Sequence, residues 1–280
     1  MCTLKKIDEN IESIINETRD SITVTKGDIV NKKKKLIDMS SFEPQDELNP
    51  KVWLSNNLIN SRVRLRLLDI ADNFFDSLDI DWVDVDDIIL TGSLANYNWS
   101  KYSDFDVHII LDFSKVDEKT EFVSDYFNTK KKLWNIEHED LKIYGFPVEL
   151  YVQDVNEPHS STGIYSLEKN EWIVEPKREN FKDIKLNKKY IKIKSLEIMD
   201  KIDHIYDIVS RETDEYKIEF ISKKIKKLFD KIKGLRKEGL KKHGEYSTFN
   251  IIFKLLRRMG YIDKLYEMKI NIYDKLKSLK

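Results

Sequence analysis

The stretch from Leu90 to His108 limits what this chain can fold into more than any other. A hydrophobic run ending at Leu90-Thr91 meets Gly92-Ser93, ten residues follow, and then comes Asp104-Phe105-Asp106-Val107-His108. Side chains alternate across a strand, so Asp104 and Asp106 project to one face while Phe105 and Val107 take the other. Two like charges on one face repel, and a divalent ion between them removes that cost. Hard oxygen ligands of this kind suit Mg²⁺, with Mn²⁺ as the alternative ion, and Mg²⁺ commonly shares its shell with substrate phosphates. Gly92 lets backbone approach a phosphate closely, and N–H groups at the start of an expected short helix after Ser93 would form an anion site.

This pattern resembles the signature of the DNA-polymerase-beta-like nucleotidyltransferase superfamily. More narrowly, Thr91-Gly92-Ser93-Leu94-Ala95-Asn96-Tyr97-Asn98 followed by Tyr102-Ser103-Asp104-Phe105-Asp106-Val107-His108 is similar to a group of phage-encoded predicted nucleotidyltransferases. The resemblance spans roughly residues 87–151, with a weaker echo near the C-terminus. It implies Mg²⁺-dependent transfer of a nucleoside monophosphate from an NTP such as ATP to an acceptor, with release of pyrophosphate. Asp104 and Asp106 would be catalytic metal ligands, and Gly92 and Ser93 would hold the β- and γ-phosphates. The acceptor stays open among nucleic acid, protein and small molecule, and base preference and oligomeric state are not encoded in these motifs.

A third acid is expected on a third strand over 148–152, introduced by Gly145-Phe146-Pro147. Glu149 lies there between Val148 and Leu150, and a carboxylate among strongly apolar neighbours needs a partner. The superfamily places its third acid on such a strand, so Glu149 resembles the third metal-site carboxylate. The alternatives are an acid on a solvent-facing edge, and Asp154, beyond the expected strand end, as the third ligand. His108 shares the face of the two acids as a ligand, a substrate contact or a structural hydrogen-bonding group. Adjacent residues on a helix do not face each other, so His138-Glu139-Asp140 reads as surface.

The fold class expected is α/β (α+β): a nucleotidyltransferase-type mixed β-sheet with flanking helices, followed by a helical C-terminal domain. Strands are expected over 87–91 and 104–111, and a hairpin from 163–167 to 171–174 through Glu168-Lys169-Asn170. A helix is expected to start at Asn49-Pro50 and carry the stripe Ile59, Val63, Leu67, Ile70, Phe74 and Leu78. Another covers 116–134, with Phe122, Tyr126 and Trp134 on or near its buried face. From about Leu186 the chain reads as helical, with one stripe through Ile198, Ile202, Ile205 and Val209. A second runs through Ile218, Ile221, Ile225, Leu228, Ile232 and Leu235, and Gly260 is a stop. The division is a helix and mobile arm over 1–48, a catalytic domain over 49–180 and a helical domain over 181–280. Ile7, Ile11 and Ile14 mark the first helix, and Lys32-Lys33-Lys34-Lys35 lies in the arm.

Net charge is −1 over 280 residues, but it is segregated. Asp69 to Asp112 holds eleven Asp against one Lys, and Lys217 to Arg258 holds fourteen Lys and Arg against four acids. The basic part therefore faces an acidic surface, binds an anion or simply presents solvated helix faces. Asn250, Lys254 and Arg257 fall at helical spacing and line one side of a basic helix. A similar run recurs in the resembling phage-encoded proteins, and that resemblance implies Lys254 and Arg257 as triphosphate- or acceptor-binding cations. The same helix also reads as a docking element through Phe249, Phe253 and Leu256. The lone Cys2 excludes an internal disulfide and fits a reducing cytoplasm, that of the host cell if the chain is phage-encoded. No apolar run is long enough to span a membrane and no signal-peptide core follows the start. Two other readings compete: an inactive nucleotidyltransferase fold kept as a nucleotide sensor or interaction module, and a nucleic-acid-binding protein using its lysine-rich segments.

Overall fold

The computed structural model describes residues 37–159, 161–178 and 184–278. The helix expected through Ile7, Ile11 and Ile14 and the run Lys32–Lys35 lie outside them. The chain divides into a sheet unit, Ser40–Ile184, and a helical unit from Lys185 onward.

The sheet unit is built from α1 (Ser61–Asp76), β1 (Asp87–Thr91), β2 (Phe105–Leu111), α2 (Phe113–Val116), α3 (Thr120–Glu137), β3 (Lys142–Ile143), β4 (Phe146–Asp154), β5 (Ile164–Ser166) and β6 (Glu171–Val174). The six strands form one sheet in the order β3-β4-β2-β1-β5-β6. β2 and β4 run parallel and the other neighbours antiparallel. The expected mixed sheet with flanking helices is therefore present. Period-two alternation makes β2 two-faced. Phe105, Val107, Ile109 and Leu111 are buried in one cluster with Val63, Leu67, Ile70 and Phe74 of α1 and Val123 and Phe127 of α3. Asp106 and His108 take the opposite face, half-buried.

Three helix expectations are corrected. Asn49-Pro50 starts no α-helix: Asn49 Oδ1 accepts from the Lys51 N–H at 2.9 Å, and Trp53 bridges to Ile59 across a turn with Asn57 at φ 59°. Asparagine side chains thus compete for the backbone, and helix begins only where Asn60 caps it by accepting from the Arg62 N–H. The helix expected over 116–134 is two, because Asp112 caps a four-residue turn and Asp117-Glu118-Lys119 separates it from α3. Phe122 is exposed, and Val123 and Phe127 supply the buried face instead. Residues 92–98 form turns rather than a short helix: the Asn96 side chain accepts from the Tyr97 N–H and donates to Thr162 Oγ1 at 2.6 Å, so no helical ladder propagates.

That turn is pinned from outside. Trp53, buried, donates its indole N–H to the Leu94 carbonyl at 2.7 Å and stacks on Trp172 at 4.4 Å. Trp53→Phe keeps most of the packing but leaves a buried carbonyl unpaired, which is expected to lower stability by about 1–3 kcal/mol. Urea unfolding of the variant measures this; unchanged stability would show that the carbonyl finds another donor.

The helical unit holds α4 (Lys188–Arg211), α5 (Glu215–His243), α6 (Thr248–Arg258) and α7 (Tyr261–Lys277). Helix α5 packs on α6 and α7, and α4 on the same two. Ile202 and Val209 of the first expected stripe are buried, as are Ile218, Ile225 and Ile232 of the second. Gly260 stops α6 in the left-handed region at φ 75°. No helix among the described residues is long and apolar enough to cross a membrane.

Candidate active site

Register assembles the acids. Parallel pairing of β2 with β4 sets Asp106 opposite Glu149, and antiparallel pairing of β1 with β2 sets Thr91 opposite Asp106. Asp104 stands just before β2 on the same face. Each of Asp104, Asp106 and Glu149 offers a carboxylate oxygen, and these oxygens all lie within 4.8 Å of one another. All three side chains are half-buried. A donor set of three convergent hard oxygens fits Mg²⁺ or Mn²⁺, which complete their shells with water and phosphate oxygens.

Gly92 follows Thr91 and lies directly against Asp106. At φ 74° it occupies the left-handed region, and a Cβ built on it would sit 1.8 Å from Asp106 Oδ2. The glycine therefore serves the carboxylate as well as the turn. Ser93 donates its hydroxyl to Ser103 Oγ at 2.7 Å, and Ser103 Oγ also accepts from the Ser100 N–H at 2.9 Å. This bond joins the start of the turn to the residue before Asp104.

Glu149 has a hydrogen-bond donor that the sequence motif does not reveal. The Tyr151 hydroxyl, two residues on and on the same strand face, donates to Glu149 Oε2 at 2.6 Å. Burial and the charges of Glu149 and Asp106 push that hydroxyl well above the ordinary tyrosine range, so it stays a donor. His108, opposite Tyr151, stacks on it at 4.6 Å, and its Nδ1 lies 2.8 Å from Gln153 Oε1. Burial lowers His108 to about 4 against the support of Gln153, so it is neutral near pH 7. Its bond is to the neighbouring strand, and it does not join the carboxylate cluster. Lys131 of α3 places its Nζ 3.1 Å from the Tyr151 ring centroid. Two signals could have found these residues: Tyr151 keeps the strand parity of Glu149, and Lys131 continues the helical spacing of Ser124 and Asn128.

A groove of about 370 Å³ adjoins His108 and Tyr151, lined further by Gln153 and Asp154 of the sheet and Thr120, Glu121, Ser124 and Asn128 of α3; none of the three clustered acids lines it. Asp154 is the last residue of β4 rather than beyond it. It lies outside the carboxylate cluster, where its Oδ1 accepts from the Asn156 N–H at 2.9 Å. His138 stacks on Trp134 at 4.0 Å, and neither it nor the exposed Glu139 and Asp140 belongs to the metal-competent cluster.

Lys254 and Arg257 belong to α6 of the helical unit. Lys254 Nζ pairs with Glu245 Oε2 at 2.5 Å, and Arg257 is exposed. Asn250 is wholly buried: its Oδ1 accepts from Arg236 Nε at 3.1 Å and its Nδ2 donates to the Glu245 carbonyl at 2.6 Å. The three residues therefore do not form one solvent-facing row.

No curated protein and no solved structure is significantly similar to the chain. A family model described as a nucleotidyltransferase domain matches residues 72–246, from α1 through the sheet and on past α5. That match covers more than half of the chain and includes Gly92, Ser93 and all three acids. The chain belongs to the nucleotidyltransferase domain family.

Proposed function

We propose that this protein transfers a nucleoside monophosphate from an NTP to an acceptor hydroxyl or phosphate, with Mg²⁺ or Mn²⁺ as cofactor and pyrophosphate as the product released. The observation that carries this reading is the convergence of Asp104, Asp106 and Glu149 beside a glycine whose missing Cβ makes room for Asp106. Asp104 and Asp106 would hold two such metal ions, one for the triphosphate and one for the acceptor, and Glu149 would complete the set of ligands for the acceptor-side ion. Ions bound there would supply neutralisation of phosphate charge and a lowered acceptor pKa for in-line attack on the α-phosphorus. Gly92 and Ser93 receive the β- and γ-phosphates through backbone N–H groups. Tyr151 orients the Glu149 carboxylate through its bond to Oε2. Most of the rate enhancement then comes from holding the two reactants in line and from fixed charge around the phosphates.

The proposal extends to Lys254 and Arg257 as anion-binding groups of the helical unit. It also extends to the narrower likeness to phage-encoded nucleotidyltransferases and to work in a reducing cytoplasm. An inactive sensor would also use the three acids to bind a metal–nucleotide complex, and single-turnover transfer from an α-labelled NTP separates it from the enzyme.

Calorimetric titration of each NTP into the protein with Mg²⁺ and with EDTA tests the reading. Binding that needs Mg²⁺ and is lost in the Asp104→Asn, Asp106→Asn double variant supports it; no binding of any NTP would sink it. Glu149→Gln is expected to reduce turnover by about 10²-fold while NTP affinity changes less than about threefold. Equal loss of both would move Glu149 to the nucleotide side of the site.

A further inference from the structure

Lys131 is a cation that the nucleotidyltransferase motif does not account for. It lies on the face of α3 that continues Ser124 and Asn128, and it is half-buried. Its ammonium rests 3.1 Å from the centroid of the Tyr151 ring, whose hydroxyl donates to Glu149 Oε2 at 2.6 Å. Glu149 in turn pairs in register with Asp106. One ring therefore separates the ammonium from the rim of the three carboxylates. Burial holds Lys131 below the ordinary lysine range, and the charges of Glu149, Asp106 and Asp104 all pull it back up. The lysine thus feels the whole triad.

A face-on ring is a weak hold for an ammonium compared with a bidentate ion pair, and the four-carbon stem of lysine lets the charge move. Like charges cannot share a small, partly desolvated site at low cost. A divalent ion entering the triad alone therefore meets opposition from Lys131. A metal that arrives with a triphosphate brings the ammonium a new anion.

We propose that Lys131 is a built-in counter-cation of the triad, which disfavours metal binding in the absence of nucleotide and pairs with the triphosphate when metal and nucleotide arrive together. The second half rests on the nucleotidyltransferase reading; the first half needs only the triad. The consequence is a site that loads metal and nucleotide as one unit.

The test is Lys131→Met in the full chain, since methionine keeps an apolar body over the Tyr151 ring without the charge. Mn²⁺ binding is measured first with no nucleotide, by calorimetry or by the loss of the free-ion resonance signal. Binding in Mg²⁺ of the α,β-methylene analogues of all four NTPs is measured second. Lys131→Met is expected to bind Mn²⁺ on the order of tenfold tighter and the nucleotide analogues on the order of tenfold weaker. Lys132→Met, which removes the same charge from an exposed neighbour, should change either affinity by less than about twofold. Lys131→Gln repeats the experiment if the methionine variant melts at a markedly lower temperature. Mn²⁺ affinity that is unchanged or weaker, or that shifts equally in Lys132→Met, overturns the counter-cation. Tighter Mn²⁺ with unchanged nucleotide affinity overturns the pairing with triphosphate. A wild-type protein that binds no Mg²⁺–nucleotide would instead overturn the nucleotidyltransferase reading, while the metal-only comparison would still decide the role of Lys131.

Discussion

Asp106→Asn is expected to reduce metal-dependent transfer by on the order of 10³-fold or more, because it strips a charge from the central member of the triad without changing side-chain volume. Asp106 is central by register: Thr91 stands opposite it on one neighbouring strand and Glu149 on the other. Its oxygen lies where the Cβ of any residue other than glycine at position 92 would fall. Asparagine fits the same space and offers one neutral carbonyl oxygen in place of a carboxylate. Its amide presents donors where a cation needs acceptors. The side chain is half-buried and apart from the cluster that Phe105 and Val107 enter, so stability should stay within about 1 kcal/mol of wild type. Single-turnover transfer from an α-labelled NTP, read beside a urea melt, separates the two effects. Residual turnover near wild type in the Asp104→Asn, Asp106→Asn double variant would remove the chemistry from this site altogether.

The part of this site readable from sequence was the part fixed by local period. Strand alternation alone puts Phe105 and Val107 inward and Asp106 and His108 outward, and β1 covers the residues 87–91 expected from the apolar run 88–90 and its polar flanks. The hairpin through Glu168-Lys169-Asn170 was legible for the same reason, since turn-forming residues separate two β-like runs that pair antiparallel. Helical stripes through Ile202, Val209, Ile218, Ile225 and Ile232 needed only their spacing of three, four and seven. What escaped was set by contacts distant in sequence. Glu149 was expected at the site through the family resemblance, but its pairing with Asp106 spans forty-odd residues and depends on β4 joining the sheet beside β2, which no local pattern encodes. The stack of Lys131, Tyr151 and His108 draws on three elements. Asparagines misled the helix boundaries because Asn49, Asn60 and Asn96 spend their side chains on nearby backbone N–H groups, a competition that apolar periodicity does not register.

Gly92→Ala should disable the site with every charge still in place, and comparison with Gly145→Ala isolates the reason. Both glycines lie in the sheet unit with positive φ, 74° and 90°. An alanine at either carries the left-handed penalty of about 1–2 kcal/mol. A Cβ on Gly145 would meet nothing within 4 Å, so Gly145→Ala should lose that amount of stability and little activity. A Cβ on Gly92 would meet Asp106 Oδ2 at 1.8 Å and Cγ at 2.8 Å, far inside contact distance. Relief requires the Asp106 carboxylate to rotate away from Asp104 and Glu149, or the β1–β2 register to open at Thr91. Either movement takes one ligand out of a cluster whose oxygens otherwise fall within 4.8 Å of one another. Transfer is expected to fall by on the order of 10²-fold or more, since a ligand misplaced by about 1 Å already costs that much. Mn²⁺ affinity should fall with it. Turnover and Mn²⁺ titration of the two alanine variants side by side decide the matter: equal activity in both would mean that Gly92 serves only the turn and that Asp106 is not held where a metal must find it.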